Sequence, residues 1–594
     1  MAGNNTFKNA SAAPVLSSHK YRPLDLSTDE IRLLTLHPGS DGDEISCILS
    51  HHNLTGNIEY EALSYTWGDN ASLHTIILDG LPFRVTANLK TALHHLRHTD
   101  DVRKNRVLWI DALCINQQDP KERGHQVRQM DKIFSSACNV LAWLGEARDG
   151  SDIAMDFIKR IAQGLSLFGV HGEPFTPKEI WVALHKLWDR PYWGRVWIIQ
   201  ELASAIEKEK PMWIPRYHAE IGCGHKWLRL NLVRNAWNSL SMYLNHPFVR
   251  GKGEYVPVRN LFTLLLEHAH RRLTLSALIS LTYTANATDP RDHFYAVLGL
   301  APETDRSALI PDYTKSLKEV CGQFIEHIIN TEKRLDILAF DHSSCKANLP
   351  TWAPNFTSLS RSASIGWRPY WHNFRASGKA GANPPQVQFS NDLTTLTIRG
   401  FVVDTVVTVD GPFTDVDQQL EHLLEQRLKH WRVLQPQYKE DTLTAVGRTL
   451  VLDHHLEQRL PIAKRGTPDS FRIFYQTLLD PMNQASRYRS RNASDSAELA
   501  KVAELEAEKR CFDVSVRQAL ESRCFFTTSS GFIGLGPRDT RCGYYVTIFL
   551  GGNMPFIIKD KSTHHCLVGE AYVHGIMDGE RMIPSVELQE FHLK

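Results

Sequence analysis

No two cysteines in this chain are spaced C-x-x-C. The ten of them, Cys47, Cys114, Cys138, Cys223, Cys321, Cys345, Cys511, Cys524, Cys542 and Cys566, are scattered. Neither a zinc ribbon nor a disulfide framework is read from such spacing, and a reducing compartment fits it best. Charge of one sign is also missing: the formal net charge is +1, so no global field draws the chain to nucleic acid or an anionic membrane. No apolar run approaches the ~20 residues of a membrane helix. The start, MAGNNTFKNASAAP, lacks the basic and apolar regions of a signal peptide, and Ala2 excludes N-myristoylation. The expectation is a soluble, cytoplasmic protein with no membrane span and no nucleic-acid partner.

Three catalytic signatures are absent as well. There is no G-x-x-x-x-G-K-[ST], which removes P-loop chemistry, and GFIGLG (531–536) is not G-x-G-x-x-G and leads into more strand. His94 and His98 share a helical face but no H-E-x-x-H exists, so solvated histidines are the better reading and no metal site is assigned.

What is present is an ordinary globular composition, 42% hydrophobic and 22% charged, over a length that calls for several domains. Residues 1–20 are rich in Asn, Ser and Ala and read as a mobile N-terminus. IRLLTL (31–36) and ISCIL (45–49) flank a turn-rich stretch and predict a hairpin. TIILDGLPFRV (75–85) predicts another, turning at Asp79-Gly80. YEALSYTWGD (60–69), VLWID (107–111) and VLAWLG (140–145) read as buried strands. Helical spacing lies between them, from Asn88 and again from Asp119-Pro120, and this is the pattern of a parallel α/β sheet. Residues 206–366 read as helical, 367–386 as a linker or long loop, and 484–510 as an exposed helix. The tail alternates strands with Gly turns, as in CFFTTSSGFIGLGP, and predicts a small β-barrel within a C-terminal α+β module, 387–594.

Ligands of open α/β sheets sit beyond the carboxyl ends of the strands, at a switch in strand order. That rule selects Ser64, Tyr65, Trp67 and Asp69 after one strand, and Asp111, Cys114, Asn116 and Gln117 after another. Each has a bland reading beside the functional one: strand-end Asp caps helices, Ser, Asn and Gln close turns, and a lone Cys is a small buried thiol. RVWIIQELA (195–203) raises a sharper question. It predicts an amphipathic helix with Trp197 and Leu202 on its buried stripe, yet Glu201 stands among Ile198, Ile199 and Leu202. It is either an edge residue or a placed functional group.

YEALSYTWGD, LWIDALCINQQDPKERGHQVRQMDKIFSSACNVLAWLG and RPYWGRVWIIQELA resemble, in order and spacing, the signature blocks of the fungal heterokaryon-incompatibility (HET) domain. IRLLTLHPG, DPRDHFYAVLGL, LPTWAPNF, GLGP and VGEAYVHGIMDGE resemble further segments of full-length members. The tail departs from the family where a Gly-Asp often follows the GLGP turn; here it is Gly543-Tyr544. The resemblance implies a HET domain over 21–205 and an effector of programmed cell death in nonself recognition, acting with an incompatibility partner protein and through self-association. The HET domain is similar to the Toll/interleukin-1-receptor (TIR) domain, which implies a flavodoxin-like, TIR-like α/β fold. Many TIR domains cleave NAD with a helix-borne glutamate in a W-x-x-x-E-L block, the form of Trp197–Leu202. By that analogy Glu201 is the catalytic candidate of an NAD glycohydrolase, with NAD as substrate and no prosthetic group. Ser64, Tyr65, Trp67, Asp69, Asp111, Cys114, Asn116, Gln117, Arg195 and Trp197 are then candidates to bind it. The rival reading is a non-enzymatic signalling and assembly module in which Glu201 makes a structural salt bridge with Arg195 or Arg190.

Overall fold

The computed structural model describes residues 19–340 apart from 57, 70, 98–104, 166–176, 207–216, 242–255 and 270–272. It further describes 349–594 apart from 355–373, 380, 414–441, 457–462, 466–511, 513, 514, 518, 521 and 522. The chain divides into two compact units, Met1–Lys315 and Ser316–Lys594.

In the first unit both predicted hairpins form. β1 (Glu30–Leu36) pairs antiparallel with β2 (Ser46–Asn53). After β3 (Glu61–Tyr65), β4 (Leu73–Leu78) pairs with β5 (Leu81–Thr86) across Asp79 and Gly80, whose φ angles of 51° and 75° are what a two-residue hairpin loop demands. Helix α1 (Ala87–Arg97) leads to β6 (Arg106–Trp109). The short helices α2 (Asp111–Cys114), α3 (Pro120–Arg128) and α4 (Met130–Ser136) then lead to β7 (Asn139–Trp143). The single helix expected from Asp119 is divided at Gln129, whose ψ of 0° breaks the run.

Helices α5 (Ser151–Ala162) and α6 (Lys178–Trp188) and the tight turn Pro191–Gly194 precede α7 (Trp197–Ser204). The stretch from 206 is not wholly helical. Ala219–Cys223 and Lys226–Arg229 form β8 and β9, a hairpin that turns at Gly224. Strands of five and four residues are too short to show alternation, so the sequence hid them. Helices α8 (Leu230–Ser241), α9 (Val256–Ala269), α10 (Leu275–Thr282), α11 (Asp292–Leu298) and α12 (Glu303–Ala308) complete the unit.

The sheet order is β5-β4-β2-β1-β6-β3-β7-β8-β9. At its centre β6, β3, β7 and β8 run parallel, as expected of an α/β fold. The whole sheet is mixed rather than parallel. β1 adds to β6 antiparallel, Leu34 opposite Leu108, and β9 closes the far edge antiparallel. The hairpins β1–β2, β4–β5 and β8–β9 are antiparallel because a short loop returns the second strand beside the first.

The second unit starts with α13 (Leu317–Glu332), opened by a capping box between Ser316 and Glu319. Of the predicted linker, 374–379 and 381–386 carry no helix or strand; the helix predicted at 484–510 lies outside the described residues. After β10 (Val387–Phe389) comes the long β11 (Leu396–Asp410), then two short strands, β12 (His454–Leu456) and β13 (Ala463–Arg465). The tail supplies β14 (Arg523–Thr528), β15 (Ile533–Pro537), β16 (Tyr545–Phe549), β17 (Phe556–Asp560), β18 (His565–Glu570), β19 (Tyr572–Val573) and β20 (Gln589–Leu593). The expected barrel is present. β11 pairs with β16 on one edge and β20 on the other, and the ring runs on through β17 and β18. Gly400 is opposite both Phe549 and Gln589, and a Cβ there would strike the Ile548 carbonyl. The far end of β11 leaves the ring to pair with β14.

Candidate functional site

β6 stops at Trp109, opposite Ala62, whereas β3 continues to Tyr65 beside β7. The last residues of β3 therefore lack a strand on their β6 side. Chain order reverses here too: β3 is followed by β6 on one side, and β6 by β7 on the other. This is the switch point at which such sheets bind ligands. The notch has to be filled by side chains, because buried carbonyls need donors. Arg195 Nη1 donates to the Tyr65 carbonyl, and Asp111, just past β6, accepts from the Trp67 indole at 2.8 Å.

Helix α7 carries Glu201 to the same place. The helix is not amphipathic as the sequence reading had it: Ile198 to Ser204 are all buried. Enclosure on every side is what makes the lone acid unusual, since an ionised carboxylate in an apolar setting is costly unless it is paired. Glu201 is 3% exposed. It has no salt bridge to Arg195 or Arg190. Arg195 is turned to Tyr65, and Arg190 donates to the carbonyls of Leu144, Glu146 and Arg148. The structural salt bridge of the rival reading is therefore not formed.

The partners of Glu201 are hydroxyls. Ser64 Oγ donates to Glu201 Oε2 and lies 2.8 Å from the Tyr192 hydroxyl. A serine has one hydroxyl proton, and with it committed to the carboxylate, Tyr192 must donate to Ser64. The result is a buried chain from Tyr192 through Ser64 to Glu201. Burial pushes the Glu201 carboxyl up to about 7, against the pull of Arg195 and the Ser64 hydrogen bond and with a further push from Asp111. Asp111 is raised too, by burial first, with Arg195, the Trp67 indole and the Ala112 amide opposing. Two acids and one guanidinium thus share the carboxyl end of β3.

The remaining candidates divide. Gln117 joins the group by donating from Nε2 to the Asp111 carbonyl at 2.9 Å. Tyr65 contributes its carbonyl, for its ring is buried. Cys114 is fully buried in α2, its thiol pushed up to about 12 by burial, and its carbonyl accepts from Arg32. Asn116 and Asp69 close turns, accepting from the Gln118 and Ala71 amides. Trp197 turns to Asp292, donating from its indole at 3.0 Å. Sequence reasoning missed Tyr192, although RPYWG lies in the quoted block, and missed Asn88. The latter straps the site by donating to the Thr66 carbonyl at 2.6 Å and accepting from the Trp143 indole at 3.1 Å.

A model of the heterokaryon incompatibility protein family (HET) matches residues 60–201, the span from β3 to Glu201 that holds every member of this cluster. The chain carries a HET domain. The match to the HET model omits β1, β2, β8 and β9, which belong to the same sheet. A Het-6 β-barrel domain matches residues 470–594, which likewise omits β11 of the ring. The chain is 27% identical to heterokaryon incompatibility protein 6, OR allele, of Neurospora crassa, in an alignment covering the full length of both. No solved structure matches it. Among the described residues no helix is long and apolar enough to cross a membrane.

Proposed function

We propose that this chain acts in fungal heterokaryon incompatibility as a cell-death effector, and that its HET domain cleaves NAD with Glu201 as the working acid. The observation that carries the reading is a buried carboxylate with no cation pairing it, at the switch point of the sheet, its proton affinity raised to the working range near pH 7. The full-length likeness to an incompatibility protein supports the broader role.

The chemistry asks little of the protein beyond that acid. The bond between ribose C1′ and the nicotinamide nitrogen breaks with its electron pair leaving on the nitrogen, so the ring departs neutral and needs no proton donor. Water adds to C1′, and its proton passes to Glu201 and then to solvent. Positive charge grows on the ribose as the bond breaks. A nearby carboxylate stabilises it, a contact typically worth ~3 to 4 kcal/mol. Arg195 retains guanidinium donors for a phosphate, and Trp67 offers a half-buried ring for stacking.

At 3% exposure Glu201 meets no substrate until Ser64 and Tyr192 move aside, so the structure is the resting form of such an enzyme. Self-association of the HET domain is the event we propose to open it. The same burial favours a second reading, a signalling and assembly module that performs no chemistry and binds the incompatibility partner. Purified full-length protein, free and forced into oligomers, incubated with NAD and followed for nicotinamide, separates them. Release that is lost in Glu201→Gln supports cleavage. Release that persists in Glu201→Gln, or none from oligomers, sinks it.

A further inference from the structure

Asp292 stands between two aromatic donors. It accepts from the Trp197 indole on Oδ2 at 3.0 Å and from the Tyr313 hydroxyl on Oδ1 at 2.7 Å. Trp197 is the first residue of α7, one helical turn ahead of Glu201. Tyr313 belongs to the last residues of the first compact unit, which ends at Lys315.

That closing segment is laced down from several sides. Arg291 Nη1 donates to the carbonyls of Tyr313 and Lys315 at 2.8 and 2.7 Å, while its other nitrogens grip both oxygens of Asp289 at 2.9 and 2.7 Å. Tyr295 donates to the Asp312 carbonyl at 2.9 Å and packs edge-on against the Tyr313 ring. The Arg123 guanidinium lies 3.6 Å from the centre of that ring, on its other neighbour α3, and 3.8 Å from Asp289. A planar cation over an aromatic face and a bidentate Arg pair are among the more directional contacts available to a half-buried surface. Asp292 is joined to the helix that bears Glu201 by the Trp197 indole. What these contacts share with the Ser64 cluster is α7.

We propose that residues 312–315 are an autoinhibitory strap: through Asp292 and Trp197 they hold α7 against β3, and so keep Glu201 sealed beneath Ser64 until the strap is released. This rests on Glu201 being the working acid of the HET domain, but the sealing is measurable without any reaction. The strap gives the DPRDHFYAVLGL segment a task. Asp289 and Arg291 fasten the closing segment, and Asp292 passes its position to the helix that bears the acid.

The test is carboxyl labelling of the full-length protein with a carbodiimide and an amine, read site by site by mass spectrometry. Tyr313→Phe keeps the ring and its stacking and deletes one hydrogen bond. Arg291→Gln frees the two strap carbonyls. In both variants Glu201 is expected to label about tenfold faster than in the parent, while Glu122, equally buried in its pair with Arg32, labels at the parent rate. An unchanged Glu201 rate in both variants overturns the strap. So does a parallel rise at Glu122, which marks general loosening of the unit. Nicotinamide release from NAD is followed in the same samples. Faster labelling with no release leaves the strap standing and counts against NAD cleavage; release without faster labelling does the reverse.

Discussion

Glu201, at the scale of one residue, is a buried acid whose ionised form costs the fold stability, which is what the proposed role asks of it. Its carboxyl titrates near 4.5 when unfolded and near 7 in the fold. A raised carboxyl favours the native state most below the lower value, and that contribution fades as pH climbs from about 4.5 through 7. The shift corresponds to on the order of 3 kcal/mol. Glu201→Gln keeps an oxygen for the Ser64 hydroxyl and removes the charge. Its melting temperature is therefore expected to exceed the parent's at pH 8 and to match it near pH 4.5, by calorimetry. A structural glutamate would give the opposite sign at pH 8. Where NAD is cleaved, the initial rate should rise with pH about a midpoint near 7. Ser64→Ala, which deletes a donor that favours the anion, should move that midpoint upward. A midpoint unmoved by Ser64→Ala would separate the rate from this carboxyl.

Among elements, the most telling tie is between β1 and α3. Arg32 is 1% exposed and makes a bidentate pair with Glu122 at 2.7 and 3.0 Å, also donating to the carbonyls of Cys114 and Arg22. Arg32→Met leaves Glu122 charged in the interior without its cation, held by the Asn116 amide at 2.6 Å, a class of change that costs about 3 to 5 kcal/mol. Urea denaturation should show that loss, with much of it recovered in the double variant Arg32→Met, Glu122→Leu. A loss below about 1 kcal/mol would mean that water reaches the pair. Such a tie was invisible in the sequence, because nothing in IRLLTL marks its arginine as an inward residue. The strands that frame the site were legible, since YEALSY, VLWI and VLAW are compact apolar runs. Glu201 was legible as a misfit among isoleucines, and Asp111 and Trp67 as residues at strand ends. Tyr192, Asn88 and the β8–β9 hairpin were not: their roles come from partners 22 to 128 residues away, and local pattern carries no trace of those.

For the whole molecule, two compact units predict two heat-capacity peaks on unfolding the full chain. Glu201→Gln should displace only the peak of the first unit. A single peak that shifts as one would mean that the units unfold together. The barrel of the second unit adds a separate consequence. Its ring is closed by a strand drawn from residues 396–410, more than a hundred positions ahead of the other four. A truncated protein that begins at residue 470, where the recognisable barrel sequence starts, would leave β16 and β20 with bare hydrogen-bonding rims. Such a fragment would seek the missing strand from a neighbour, so clumping in dilute buffer, cured by adding a peptide of the β11 sequence, is the behaviour to look for.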